Sequence, residues 1–269
     1  MINARKLVGT AEVLLITLDT LRYDVACDTL QRGLTPNLAK ILPPDGWQER
    51  HTPASFTFAA HQAFFAGFLP TPSAPGLHPR LFAAQFEGSS TVTEETCVFE
   101  ESDIVRGLAR RGYRTLCIGG TGFFNKQNPL GRVLPDMFDE SYWDQSLGVT
   151  DPRSTENQVR LALQLLSAVP KESRVFLFIN ISALHQPNCI HLKGAKHDTL
   201  ESHAAALVYI DSQLPPLFEA MQRRAPVLLV ICSDHGTAYG EDGFVGHRAA
   251  HKVIWTVPYA EILLDEIRS

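Results

Sequence analysis

The chain has 269 residues, 45% hydrophobic and 20% charged, with a formal net charge of -5 and a pI near 6.0. That composition supports a sizeable buried core and excludes the basic field that holds nucleic acid. Five cysteines (Cys27, Cys97, Cys117, Cys189, Cys232) are scattered without a Cys-Xaa-Xaa-Cys pair, which argues against a zinc knuckle or a disulfide framework. No basic-then-apolar leader precedes the first strand, and no apolar run approaches the ~20 residues of a membrane span. The expectation is a cytoplasmic protein that does not engage a membrane.

The first element is Val13-Leu-Leu-Ile-Thr-Leu, an apolar run that stops at Asp19. Such a run predicts a strand buried on both faces, as in a parallel sheet. Ligands of open α/β sheets sit beyond the carboxyl ends of the strands, where Asp19 lies, although a cap for the next segment has the same appearance. Thr35-Pro36 predicts a helix start, with threonine as N-cap, running to Ile41. Residues 43–55 read as a proline-rich connection. Thr57 to Ala66 reads as a helix closed by Gly67, and 68–98 as an irregular excursion.

Ser102 to Arg111 predicts a helix, and Arg114 to Ile118 a short buried strand followed by Gly119-Gly-Thr-Gly122. No acidic ribose partner follows that glycine cluster at the distance a dinucleotide fold needs. Residues 123–153 read as an aromatic loop, Asn157 to Val169 as an amphipathic helix, and Arg174 to Ile181 as a buried strand. Residues 185–199 form a histidine-bearing loop. Leu200 to Leu214 predicts a helix interrupted by Pro215-Pro216, on which Tyr209 and Asp211 read as packing and solvated positions. Val227 to Cys232 and Pro258 to Leu264 predict the last strands. Strands alternating with helices predict an α/β fold: a doubly wound, mostly parallel central sheet flanked by helices, in one domain over 1–269.

Ser233-Asp234-His235-Gly236 directly follows the strand that ends at Cys232. With Asp19 it offers two carboxylates and an imidazole, a donor set that suits zinc or manganese better than calcium, which prefers oxygen alone. Thr57 sits at a helix start, where free N–H groups and the positive dipole end favour an anion. A threonine hydroxyl bound to a metal loses its proton more readily and becomes a nucleophile. An N-cap role explains Thr57 equally well, and Ser55 is a rival for either role.

Taken in order, these pieces resemble the alkaline phosphatase superfamily, particularly its sulfatase, nucleotide pyrophosphatase and phosphoethanolamine-transferase branches. Leu15-Ile-Thr-Leu-Asp19-Thr-Leu-Arg22-Tyr-Asp24 is similar to the opening motif, and Thr35-Pro-Asn-Leu to the motif that follows it. Counting back from Gly67 at the family's spacing selects Thr57 and not Ser55. Gly112-Tyr113-Arg-Thr115 resembles the family's approach to a strand, Phe123-Phe-Asn125-Lys126 a substrate-side loop, and Leu184-His185-Gln186-Pro187 the Pro-His-Xaa-Pro of sulfatases. Asp234-His235-Gly236, Gly240-Glu241-Asp242-Gly243 and His247 resemble the late motifs of the transferase branch, and Val257-Pro258 the opening of a late strand.

The resemblance implies an alkaline-phosphatase-like hydrolase domain that lacks the usual C-terminal subdomain. It implies one divalent metal, zinc or manganese, held by Asp19, Thr57, Asp234, His235 and His247, with a second metal possible in principle. It implies Thr57 as nucleophile, His185 and His247 as catalytic partners, and Asn125, Lys126 and His185 as substrate contacts. The formylglycine route of sulfatases needs Cys or Ser, then Pro and Arg, where this chain has Thr57, Ala59 and His61. The expected activity is therefore metal-dependent hydrolysis of a small phosphate mono- or diester. The alternatives are phosphoryl transfer or mutase chemistry, and a sulfatase-like or non-catalytic binding protein. Thr20 stands where sulfatases often carry a second acidic residue, which again favours zinc or manganese over calcium.

Overall fold

A computed structural model describes residues 2–67, the backbone of 82–84 and 97–99, and residues 103–267. Its centre is a seven-stranded sheet built from β1 (Glu12–Leu18), β2 (Gln48–His51), β3 (Tyr113–Ile118), β4 (Glu140–Tyr142), β5 (Arg174–Ile181), β6 (Val227–Cys232) and β7 (Thr256–Leu264). The order across the sheet is β2-β7-β6-β1-β5-β3-β4. Strands β6, β1, β5, β3 and β4 run parallel, and β7 and β2 add an antiparallel edge. The expected mostly parallel, doubly wound sheet is thus the observed one.

The apolar runs dictate this arrangement. Both faces of β1 are covered, so successive side chains enter different cores. Leu14, Ile16 and Leu18 face helices α1 (Tyr23–Gln31), α5 (Ser154–Ala168), α6 (Leu200–Gln213) and α7 (Pro215–Gln222), packing with Leu21, Val159, Leu207 and Leu217. On the other face Val13 joins an aromatic core of Phe65, Phe124, Phe138, Phe176 and Phe178, beneath α3 (Thr57–Ala66) and α4 (Ile104–Arg110). Each such fully buried side chain contributes about 1.5–3 kcal/mol of transfer free energy. Thr17 and Asn180 fall on this second face in mutual register, polar positions at the carboxyl end of an otherwise apolar layer.

Several boundaries differ from expectation. The 43–55 connection contains β2, a polar and mostly exposed edge strand with no apolar period to reveal it. The 123–153 loop contains β4, three residues at the opposite edge. Helix α1 was not foreseen, and α5 starts at Ser154. Pro215-Pro216 opens α7 as well as ending α6, because proline suits a first turn. Ser102 lies outside the described residues, and the cap of α4 is Asp103, whose side chain accepts from Arg106 N. Of the 68–98 excursion only two short strands, 82–84 and 97–99, are described, paired in parallel. Thr35 does not cap α2 (Pro36–Ile41) with its side chain. The cap comes from Asp211, which is buried and not solvated: its carboxylate accepts from Leu38 N at 2.7 Å, Asn37 N at 3.2 Å and Asn37 Nδ2 at 3.0 Å.

Candidate active site

Asp19 ends β1, and Asp234 follows β6, its neighbour in the sheet, so the two carboxylates meet at one sheet edge. The chain turns sharply at Thr20, whose φ of 67° is the left-handed region a β-branched residue rarely enters. That turn aims Thr20 N–H at Asp234 Oδ1, 3.2 Å away, and ties the two strand ends together. Gly236 is required: a Cβ there would lie 2.0 Å from the carbonyl oxygen of Val253. Its absence lets the segment after β6 lie flat on the chain leading into β7.

Thr57 is the first residue of α3, and Phe56 holds the N-cap position with no side-chain cap. The hydroxyl is therefore not spent on the helix end. It lies 3.3 Å from Asp19 Oδ2, to which it donates, and 3.3 Å from His235 Nε2. Thr57 is buried, and the main-chain carbonyl of Ser55 accepts from Arg248 N at 2.9 Å. His235 donates its Nδ1–H to the carbonyl of Gly236 at 2.9 Å, leaving the Nε2 lone pair toward Thr57. A ligating histidine is usually oriented by such a bond.

Asp19, Asp234 and His235 offer ligand atoms all within 4.8 Å of one another. Asp19 Oδ1 and Asp234 Oδ2 are buried without a hydrogen-bond partner. Two sequestered carboxylates with orphaned oxygens are costly unless a cation lies between them, so this donor set fits a divalent metal. Burial pushes the Asp234 carboxyl up to about 7. Burial, and then the Asp234 charge, pushes Asp19 up to about 6. Burial also lowers the His235 imidazole, which keeps its lone pair available.

His247 packs against His235 with ring centroids 4.6 Å apart, and His185 meets His247 at 5.6 Å. His185 donates Nδ1–H to Gln186 O at 2.7 Å, so its Nε2 is the free nitrogen. The structure brings His185, His235 and His247 together beside Thr57, as the motifs imply. Asn125 Oδ1 accepts from Gln127 N, and Lys126 Nζ donates to Ser141 Oγ at 2.9 Å.

Two residues beside the site were not among its expected members. Asn180 on β5 donates to Asp19 Oδ2 at 3.1 Å and to Thr17 Oγ1 at 3.2 Å, while its Oδ1 accepts from Thr121 N. His61, one turn after Thr57, is wholly buried. A polar residue ending an apolar strand was the available signal for Asn180, the same signal that singled out Asp19.

A family model described as Sulfatase matches residues 11–259. The chain belongs to the sulfatase family. Its fold is like that of alkaline-phosphatase-like proteins. No curated protein matches by sequence. Among solved structures, this sulfatase-family chain is similar to the C-terminal periplasmic domain of EcEptC from Escherichia coli in complex with zinc. Identity there is 14%, coverage 96% of this chain and 74% of that one, and the TM-score 0.64. It is similar to the periplasmic domain of the phosphoethanolamine transferase EptC from Campylobacter jejuni, at 15% identity, 96% and 80% coverage and a TM-score of 0.59. It is also similar to the lipoteichoic acid synthase LtaP from Listeria monocytogenes, at 12% identity, 98% and 68% coverage and a TM-score of 0.62. At these identities the likeness establishes the fold of this sulfatase-family chain.

Proposed function

We propose that this protein is a metal-dependent hydrolase of small phosphate esters that works through Thr57. One observation carries the reading: the Thr57 hydroxyl sits 3.3 Å from both Asp19 Oδ2 and His235 Nε2, at the start of a helix and beside two orphaned carboxylate oxygens. Asp19, Asp234 and His235 would hold the divalent cation, which when bound supplies Lewis acidity toward the hydroxyl and the phosphate oxygens.

The protein's own groups account for the remaining steps. Thr57 Oγ, held on Asp19 Oδ2, forms a bond to phosphorus as the ester P–O bond breaks, and its proton passes to water. The leaving oxygen takes a proton from a water held by the His185–His247 pair. The N–H groups opening α3 face the charge that develops on the phosphoryl oxygens. In the second half, water bonds to phosphorus and the Oγ–P bond breaks, which returns the hydroxyl to Thr57. Substrate contact falls to His185 and His247. Position 57 carries threonine, followed by Ala59 and His61, so the chain cannot follow the formylglycine route.

Zinc- or manganese-loaded protein should hydrolyse an aryl phosphate mono- or diester, and Thr57→Ala should remove that turnover while keeping its metal. Retention of full activity in the variant would sink the assignment. A second reading, transfer of the phosphoryl-bearing group to an acceptor hydroxyl in place of water, is supported by the transferase and the synthase among the similar structures. Product analysis with an added alcohol separates the two: transfer yields a new phosphate ester, hydrolysis yields free phosphate alone.

A further inference from the structure

His61 is placed where a phenylalanine would satisfy the packing. It is wholly buried, and its ring meets Phe64, Phe124 and Phe178 edge-on at 5.4–5.5 Å between centroids. An imidazole in that cage costs desolvation unless both nitrogens are bonded. Both are. Nδ1 lies 2.7 Å from the carbonyl oxygen of Thr57, which can only accept, so Nδ1 carries the proton. Nε2 is then a lone pair, and it accepts from Thr17 Oγ1 at 3.0 Å.

The bonds continue. Thr17 Oγ1 accepts from Asn180 Nδ2, the same amide nitrogen donates to Asp19 Oδ2, and Asp19 Oδ2 accepts from the Thr57 hydroxyl. Asp19, Asn180, Thr17, His61 and Thr57 thus form a closed, buried ring of hydrogen bonds. The ring spans three elements: β1, β5 and α3.

We propose that His61 is a positioning residue that fixes the main chain of Thr57 to the strand carrying Asp19, so that the hydroxyl stays on the Asp19 oxygen. This inference rests on the reading of Thr57 as nucleophile. It goes beyond that reading because His61 lies outside the donor set and hydrogen-bonds to Thr57 O and Thr17 Oγ1, while its Nδ1 passes 3.8 Å from Asp234 Oδ2. Misplacing a nucleophile costs turnover rather than affinity, and a shift of ~1 Å is worth up to about a hundredfold.

The test uses His61→Phe, which keeps the cage filled, His61→Asn, whose amide can restore the donor to Thr57 O, and Thr17→Val, which keeps strand shape without the hydroxyl. In the zinc-loaded protein, His61→Phe should lower kcat by roughly ten- to a hundredfold with KM nearly unchanged and zinc affinity near wild type. His61→Asn should recover part of the loss. Thr17→Val combined with His61→Phe should be no slower than His61→Phe alone, because both act through one ring. A kcat within about threefold of wild type in His61→Phe, or losses that multiply in the double variant, would overturn the inference. A wild-type protein without turnover would defeat the reading of Thr57, and the ring is then judged by histidine-selective nitrogen NMR. A neutral Nδ1–H tautomer for His61 at pH 7 supports it, and an Nε2–H tautomer or an imidazolium overturns it.

Discussion

At the residue scale, the site is defined by groups whose only physical compensation is a cation. Asp19 and Asp234 each keep one oxygen buried and unpartnered, and burial pushes their carboxyls up to about 6 and 7. The sign follows directly. A carboxyl raised in the folded state favours the metal-free fold below its unfolded pKa near 4, and that contribution fades as pH rises through 6–7. Metal requires the deprotonated pair, so zinc affinity should strengthen as pH rises from about 5.5 to 7.5, with protons released on binding. Titration calorimetry in buffers of different ionisation enthalpy reads this, and a pH-independent affinity would contradict it. Asp19, Asp234 and His235 were legible in the sequence because each ends an apolar strand or directly follows such an end. Asn180 carried the same signal but no motif. His61 was noted only as a departure from the sulfatase pattern, because a histidine in an aromatic helix shows its partners only when the strand beneath it is placed.

At the element scale, polar groups buried far from the site hold the scaffold. Glu12, fully buried at the amino end of β1, bonds Arg174 at 2.9 Å and Arg224 at 3.1 Å. Arg224 also donates to the carbonyl oxygens of Leu166, Val169, Pro170 and Ser173, which ties α5 to the sheet. Arg224→Met leaves Glu12 to Arg174 alone and takes the donor from four carbonyl oxygens, so it should cost about 1–3 kcal/mol in urea unfolding without changing zinc affinity. Asp211→Ala, which uncaps α2, should cost about 1–3 kcal/mol. A loss under about 0.5 kcal/mol in either variant would show that these networks do not bear on stability. The long strands were legible from apolar runs alone. The edge strands β2 and β4 were not, because half-exposed polar segments take their pairing from a neighbour and not from their own pattern.

At the scale of the whole molecule, the strand order explains why residues so distant in sequence converge. β1 lies between β6 and β5, and their carboxyl ends deliver Asp234, Asp19 and Asn180 to one crevice, where open α/β sheets bind ligands. Helix α3 then lowers Thr57 into it. The order of motifs along the chain predicted this convergence, while the contacts across it needed the fold. A metal seated there links β1 to β6 and binds only the native state. Zinc at a hundredfold its Kd should therefore add about 2.7 kcal/mol of stability. Thermal unfolding with and without chelator measures the gain, which should vanish in Asp234→Asn.

Thr57 is proposed to carry the phosphoryl group. Zinc-loaded protein turning over an aryl phosphate, quenched in acid and mapped by tandem mass spectrometry, tests this directly. Covalent phosphate is expected on Thr57 and none in Thr57→Ala. Phosphate on Ser55, or undiminished turnover in Thr57→Ala, would contradict it.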